Sequence, residues 1–274
     1  MVLASPCLDR SEGVVLGIDA AWTPSQPSGV ALVERGKAGW RLAFAASSYA
    51  GFCADRVATG ALLADAGALL SRSESLAGRR PDVVAIDMPL ARTPITMRRA
   101  ADNAVSAAYG ARHCSTHTPS AMRPGPISDR LTEDFCRLGF PLATDTLTTP
   151  ALVEVYPHPA LVELTGAARR LPYKVGKIRN YWPEASSSER RSKLIGCWRG
   201  IVAALQAEIE NVANTLTPPP PDAPARTLKA FEDQLDAVVC AWVGICVLEG
   251  RARPFGNADA AIWIPDTATA PAVV

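Results

Sequence analysis

The sequence predicts an α/β protein built on a mixed five-stranded sheet with helices on both faces. Three observations carry this expectation: three apolar segments in quick succession near the start, a later alternation of helical and strand patterns, and two apolar runs that each end in an aspartate. A meander followed by alternating elements lets the first and fourth strands lie parallel and adjacent at the sheet centre.

Residues 14–18 form a continuous apolar run ending in Asp19, the pattern of a strand buried on both faces. A polar, Pro-rich turn (TPSQPSG) follows. Residues 29–34 and 40–48 read as two further strands, joined by a turn containing Gly36, Lys37 and Gly39. Residues 55–76 place Ala and Leu at helical spacing. After Pro81, DVVAIDMPL supplies the fourth strand, ending at Asp87. Residues 95–109 are helical and Ala-rich, whereas 110–128 form a Gly/Pro/Ser/Thr loop long enough to suggest a function. LVEVYPHP gives the fifth strand, with Glu154 inside it. Helices are expected at 159–164 and 188–211, on either side of AARRLPYKVGKIRNYWP, and TPPPPDAPA is a polyproline loop. Residues 228–249 carry the strongest helical pattern, and AIWIP is a short late strand. A single domain over residues 1–264, with insertions around 110–130 and 165–226 and a disordered tail at 265–274, accommodates these elements.

Composition narrows the partners. With 274 residues, 48% of them apolar, the chain can bury a core without disulfides or a structural metal. Its net charge of +1 argues against a generally basic nucleic-acid coat, so any affinity for polyanions is local. Seven cysteines without a CxxC pair fit free thiols in a reducing compartment. The opening residues lack the basic region of a secretory signal, and the most apolar stretch, 237–248, falls short of the roughly 20 residues that span a bilayer. The expectation is a cytoplasmic protein with no membrane association.

The acids carry the chemistry. Asp19 and Asp87 end strands, Glu154 lies within one, and Asp233 and Asp236 begin the long helix. An acid in an apolar strand is costly to bury alone, and a cation shared among several lowers that cost. Mg²⁺ suits such a shell, because it takes one or two carboxylates, several waters and substrate phosphate oxygens. Two ions about 4 Å apart can activate water and stabilise the leaving oxygen of a phosphodiester. On a helical wheel centred on the apolar face, Asp236 falls near about 100° and borders the buried side, whereas Asp233 falls near about 160° and faces outward. Strand-end aspartates also cap turns, and acids early in a helix are favoured by its dipole, so each alone has a structural reading.

GVVLGIDAAW, VVAIDMPLA, LVEVYPHPAL and EDQLDAVVCAWVG, in that order, resemble the motifs of domain-of-unknown-function family 429, described as predicted ribonuclease H-like nucleases. The resemblance runs from about residue 13 to 264. It implies the ribonuclease H-like fold, an acidic site of Asp19, Asp87, Glu154 and Asp236, dependence on Mg²⁺ or Mn²⁺, and cleavage of phosphodiesters.

A second signal lies between Thr165 and Pro183, where Arg169, Arg170, Lys174, Lys177 and Arg179 occur without an acid and beside Tyr173, Tyr181 and Trp182. Basic side chains interleaved with aromatics suit phosphate contacts and base stacking, although a solvated loop has the same composition. In the 110–128 loop, Arg112 with the Ser115 and Thr116 hydroxyls can hold a phosphate, and the resemblance includes a Gly-x-Arg segment there. His113, Cys114 and His117 provide no complete four-ligand zinc set.

The expected function is a divalent-metal-dependent phosphodiesterase or nuclease acting on a nucleic acid or nucleotide. Asp19, Asp87, Glu154 and Asp236 hold the metal, and Arg112, Ser115, Lys174, Lys177 and Arg179 hold phosphate. One alternative is an ATP-dependent phosphotransferase of actin-like topology, disfavoured by a first turn poor in glycine and by a single copy of the fold. Another is a non-catalytic binding protein that keeps the acids as a structural network.

Overall fold

The computed structural model describes residues 12–53 and 65–266. Three antiparallel strands open the chain: β1 (Gly13–Asp19), β2 (Gly29–Gly36) and β3 (Gly39–Ala46). The short α1 (Tyr49–Phe52) and α2 (Ala66–Ala77) precede β4 (Val83–Ile86), which pairs parallel with β1. Then come α3 (Ala100–Tyr109), α4 (Pro126–Arg137), β5 (Ala151–Val155) and α5 (Pro157–Thr165). The short α6 (Ile178–Tyr181), the long α7 (Ser187–Glu208) and α8 (Val212–Thr215) lead to α9 (Ala225–Leu248). A hairpin of β6 (Ala252–Gly256) and β7 (Ala261–Pro265) closes the described chain.

The sheet order is β3-β2-β1-β4-β5-β7-β6, so the fold is mixed α/β with seven strands rather than the expected five. AIWIP joins the sheet as β7, parallel to β5, and brings β6 with it. ARPFG contains Arg and Pro and leaves its side chains partly exposed, as an edge strand does, and so lacks a buried-strand pattern. The expected 110–128 loop is broken by a 3₁₀ turn at Gly110–Arg112 and ends early at α4. That helix starts with Pro126 at its first position and buries Ser128, Leu131, Thr132 and Phe135 at helical spacing among charged residues. Pro157 likewise starts α5, cutting the fifth strand short at Val155. Much of the expected 55–76 helix and the expected tail beyond residue 266 lie outside the described residues. Among the described residues no helix is long and apolar enough to cross a membrane.

Alternation along the central strands splits the core between the two faces. Val15, Val83, Ala85, Val153 and Val155 pack with α7 and α9, while Val14, Leu16, Ile18, Val84, Ile86 and Leu152 pack with α2 and α4. The α7 end is secured by a capping box between Ser186 and Glu189.

Glycines set the distance between α9 and the sheet. A Cβ on Gly17 would lie 2.3 Å from the Ala237 carbonyl oxygen, and one on Gly29 would lie 1.9 Å from that of Asp233. Gly244 performs the same service from the helix side, where a Cβ would meet Val15 at 2.5 Å. Gly17→Ala is therefore expected to push α9 outward and cost about 1–3 kcal/mol, the usual range for overpacking. Urea unfolding checks it; a midpoint equal to that of the parent at the same slope would contradict this packing.

Candidate functional site

The strand register places the two aspartates together. Ile18 pairs with Ile86 across β1 and β4, so Asp19 and Asp87 are the next residues on adjacent parallel strands. The Asp87 N–H donates to the Ile18 carbonyl at 2.9 Å, extending the ladder to the strand ends. By the alternation that directs Val15 and Gly17, Val83 and Ala85, both aspartates lie on the α9 face. They line one cavity of about 590 Å³ with Lys174, Lys229, Asp233 and Arg123. Among the described residues neither carboxylate accepts a hydrogen bond or forms an ion pair.

The helix acids are handled differently. Asp236, fully buried, accepts a hydrogen bond from the Tyr173 hydroxyl at 2.8 Å and one from the Lys174 ammonium. Glu232 accepts from the Val175 N–H at 2.5 Å and from Lys229 at 2.9 Å. Asp233 pairs through one oxygen with Lys229, and its other oxygen is buried without a partner. The sequence reading turned Asp233 outward, whereas the cavity over the strand ends reaches it: it is 2% exposed and lines the wall.

Glu154 belongs to another network. It is paired with Ile86, one residue short of Asp87, and sits on the opposite pleat from the two aspartates. Both of its oxygens are engaged by Arg99, at 2.6 and 2.7 Å, and one also accepts the Leu90 N–H at 2.7 Å. Arg99 in turn holds Asp102 at 3.0 Å and the Leu90 carbonyl at 2.7 Å. Such a bidentate buried pair is strongly directional, and it aims Glu154 at Arg99.

Electrostatics follow from burial. Burial, then Asp236, pushes the Asp19 carboxyl well above the usual range against the pull of Lys174. Burial raises Asp87 to about 7, with Lys174 opposing and Asp236 and Glu154 adding to the rise. Asp233 is raised to about 6, mainly by burial and against Lys229. Asp236, Tyr173 and Asp19 hold Lys174 charged well above its ordinary value despite the cost of burying it.

Of the expected phosphate ligands, Lys174 and Lys177 line a second cavity of about 350 Å³ that shares Asp87, Trp22, His117, Lys174 and Lys229 with the first. Arg112 and Ser115 lie elsewhere. Arg112 binds Glu163 at 2.6 Å and the Ala167 carbonyl at 2.7 Å and stacks over Tyr109, so it fastens the 110–118 segment to α5 and the turn after it. Ser115 is exposed, and its carbonyl accepts from the Tyr156 hydroxyl at 3.1 Å. Arg179 is exposed and contributes to neither cavity wall. Arg99 and Lys229 escaped the sequence reading. For Lys229 the signal was present: it stands three residues before Glu232 and four before Asp233 on one helix.

Among the described residues no three His, Cys, Asp or Glu side chains converge as a ready metal cage. The set that fits a hard cation is smaller: the partnerless carboxylates of Asp19 and Asp87, with the orphaned Asp233 oxygen beside them. Mg²⁺ needs no more than one or two carboxylates from the protein, the rest of its shell being water and substrate oxygen.

A family model described as "Protein of unknown function (DUF429)" matches residues 17–261, a span that contains both strand-end aspartates, Glu154 and the α9 acids. No curated protein and no solved structure matches the chain.

Carboxyl groups raised in the folded state hold protons that the unfolded chain releases, so Asp87 contributes stability below about pH 4 that is lost as the pH climbs through about 7. Asp87→Asn removes this loss. Without divalent ions, the Tm of the variant relative to the parent is expected to rise between about pH 4 and 7 and to level off above that; a difference independent of pH would contradict the burial of this charge.

Proposed function

We propose that this chain, which belongs to the DUF429 family of proteins of unknown function, is a divalent-metal-dependent phosphodiesterase of ribonuclease H-like type acting on a nucleic acid or nucleotide. One observation carries the reading. Two partnerless carboxylates, Asp19 and Asp87, stand side by side at the carboxyl ends of adjacent parallel strands and face one cavity. Ligands of open α/β sheets bind at this position. Each carboxylate is disfavoured as an anion by burial and by its acidic neighbours, a deficit that a cation offsets.

Asp19 and Asp87 are the residues that would hold Mg²⁺ or Mn²⁺. When bound, such an ion lowers the pKa of water and offsets charge on a phosphodiester oxygen. Asp233 keeps one oxygen free to accept a hydrogen bond from water at the site. Lys229 fixes its other oxygen, and Lys174 keeps Asp236 neutralised, so the cavity keeps one pair of uncommitted acids. Asp236 thus acts by holding Lys174 beside the aspartates. Glu154 acts by holding Arg99 and the Leu90 amide, and with them the segment that follows Asp87.

Asp19→Asn is expected to weaken Mn²⁺ binding at least tenfold by calorimetry and to abolish metal-dependent cleavage of labelled oligonucleotides. Unchanged Mn²⁺ affinity would overturn the metal assignment. Intact ion binding with no cleavage of DNA, RNA or nucleotide by the parent protein would favour the non-catalytic reading.

A further inference from the structure

The second cavity continues the first past Asp87, away from Asp19, and its chemistry changes along the way. Asp102 and Glu154 share the one guanidinium of Arg99, and Glu232 shares Lys229 and Lys174 with the other helix acids. Arg170 and Lys177 also line it, and among the described residues neither forms an ion pair. His158, only 6% exposed, lines the same cavity. Its ring packs edge-on against Tyr156 at 5.3 Å and Tyr173 at 5.5 Å. The Nδ1 atom of His158 is buried without a hydrogen-bond partner. Burial together with Lys174, Arg170 and His117 keeps this imidazole neutral, able to offer one N–H and one lone pair.

A buried polar atom without a partner is costly in a folded protein unless something supplies the missing bond. Arg170 and Lys177, which line the same cavity and among the described residues have no ion-pair partner, suit an anion of up to two charges. An internal phosphodiester carries a single charge and must enter and leave its site along the chain. A phosphomonoester end carries close to two charges at neutral pH, matching the two cations Arg170 and Lys177, and it needs no path for a continuing chain past the buried Arg99, Asp102 and Glu154 that line the same recess.

We infer that the recess formed by His158, Arg170 and Lys177 binds the terminal phosphomonoester of a nucleotide or a short strand, so that the adjoining carboxylate site works next to a chain end. This rests on the phosphodiesterase reading for the act of cleavage but not for the binding itself. Trp22, which lines both cavities and lies edge-on to His117 at 6.4 Å, provides a wall for the base next to that phosphate.

The test is binding of three single-stranded tetranucleotides of one sequence, bearing a 5′-phosphate, a 3′-phosphate or hydroxyls at both ends, in EDTA. Fluorescence anisotropy with an internal label reads the affinity. One of the phosphorylated strands is expected to bind at least tenfold tighter than the hydroxyl strand, the polarity naming which end is held. Lys177→Ala, at an exposed side chain, should lower that ratio at least threefold, and Arg170→Ala with Lys177→Ala should bring it near one. Equal affinity for all three strands, absence of binding, or a ratio untouched by the double variant would overturn the inference. Asp19→Asn should keep the preference. A retained preference together with an Mn²⁺ affinity that Asp19→Asn leaves unchanged would mark failure of the metal reading alone.

Discussion

The approach of α9 to the first two strands is the constraint on which the remainder of the site depends. Gly17 and Gly29 leave no side chain between β1–β2 and the helix backbone at Ala237 and Asp233. Any Cβ there would overlap a carbonyl oxygen, so the helix can lie directly on the strands only because those two positions are glycine. That contact carries Asp233 and Asp236 to the strand ends and sets four carboxylates under one another's influence. Without it, Asp19 and Asp87 would be two solvated turn residues.

Crowding acids in this way is unfavourable, and the protein relieves it unevenly. Lys174 and Lys229 pair closely with the helix acids, and Arg99 pairs with Glu154 at the edge of the same cleft. Asp19 and Asp87 receive no such partner. Breaking a buried pair leaves an uncompensated charge at a cost of about 3–5 kcal/mol, which makes the paired acids structural supports for the unpaired two. The near-neutral chain of 28 basic and 27 acidic side chains hides this local arrangement. A segment with five positive charges between residues 165 and 183 supplies Lys174 to the acids and Arg170 and Lys177 to the neighbouring recess.

Much of this was legible in the sequence where it depends on period and position. The apolar runs ending in Asp19 and Asp87 identify buried parallel strands, and their register brings the two acids together as expected. The long helix and its acids were legible for the same reason. The hold of Arg99 on Glu154 was not, because it depends on which pleat the acid occupies. A shift of one residue moves a side chain to the opposite face, and only the β4–β5 register shows that Val155, not Glu154, shares the face of Asp87. The helical wheel misplaced Asp233 because it weighed the helix against the sheet and took no account of the cavity above the strand ends. Helix α4 and strand β6 escaped because charged residues outnumber the apolar ones in the first and Arg and Pro interrupt the second. Arg112 was assigned to phosphate by its neighbours in sequence, while its partner Glu163 lies 51 residues away.

Anomalous diffraction from crystals soaked in Mn²⁺ tests the central claim most directly. The account expects a peak in contact with both Asp19 and Asp87, with Glu154 still held by Arg99 and Asp236 still held by Lys174. A peak that recruits Glu154 from Arg99, or an empty cleft at Mn²⁺ concentrations that saturate other exposed carboxylates, would contradict it.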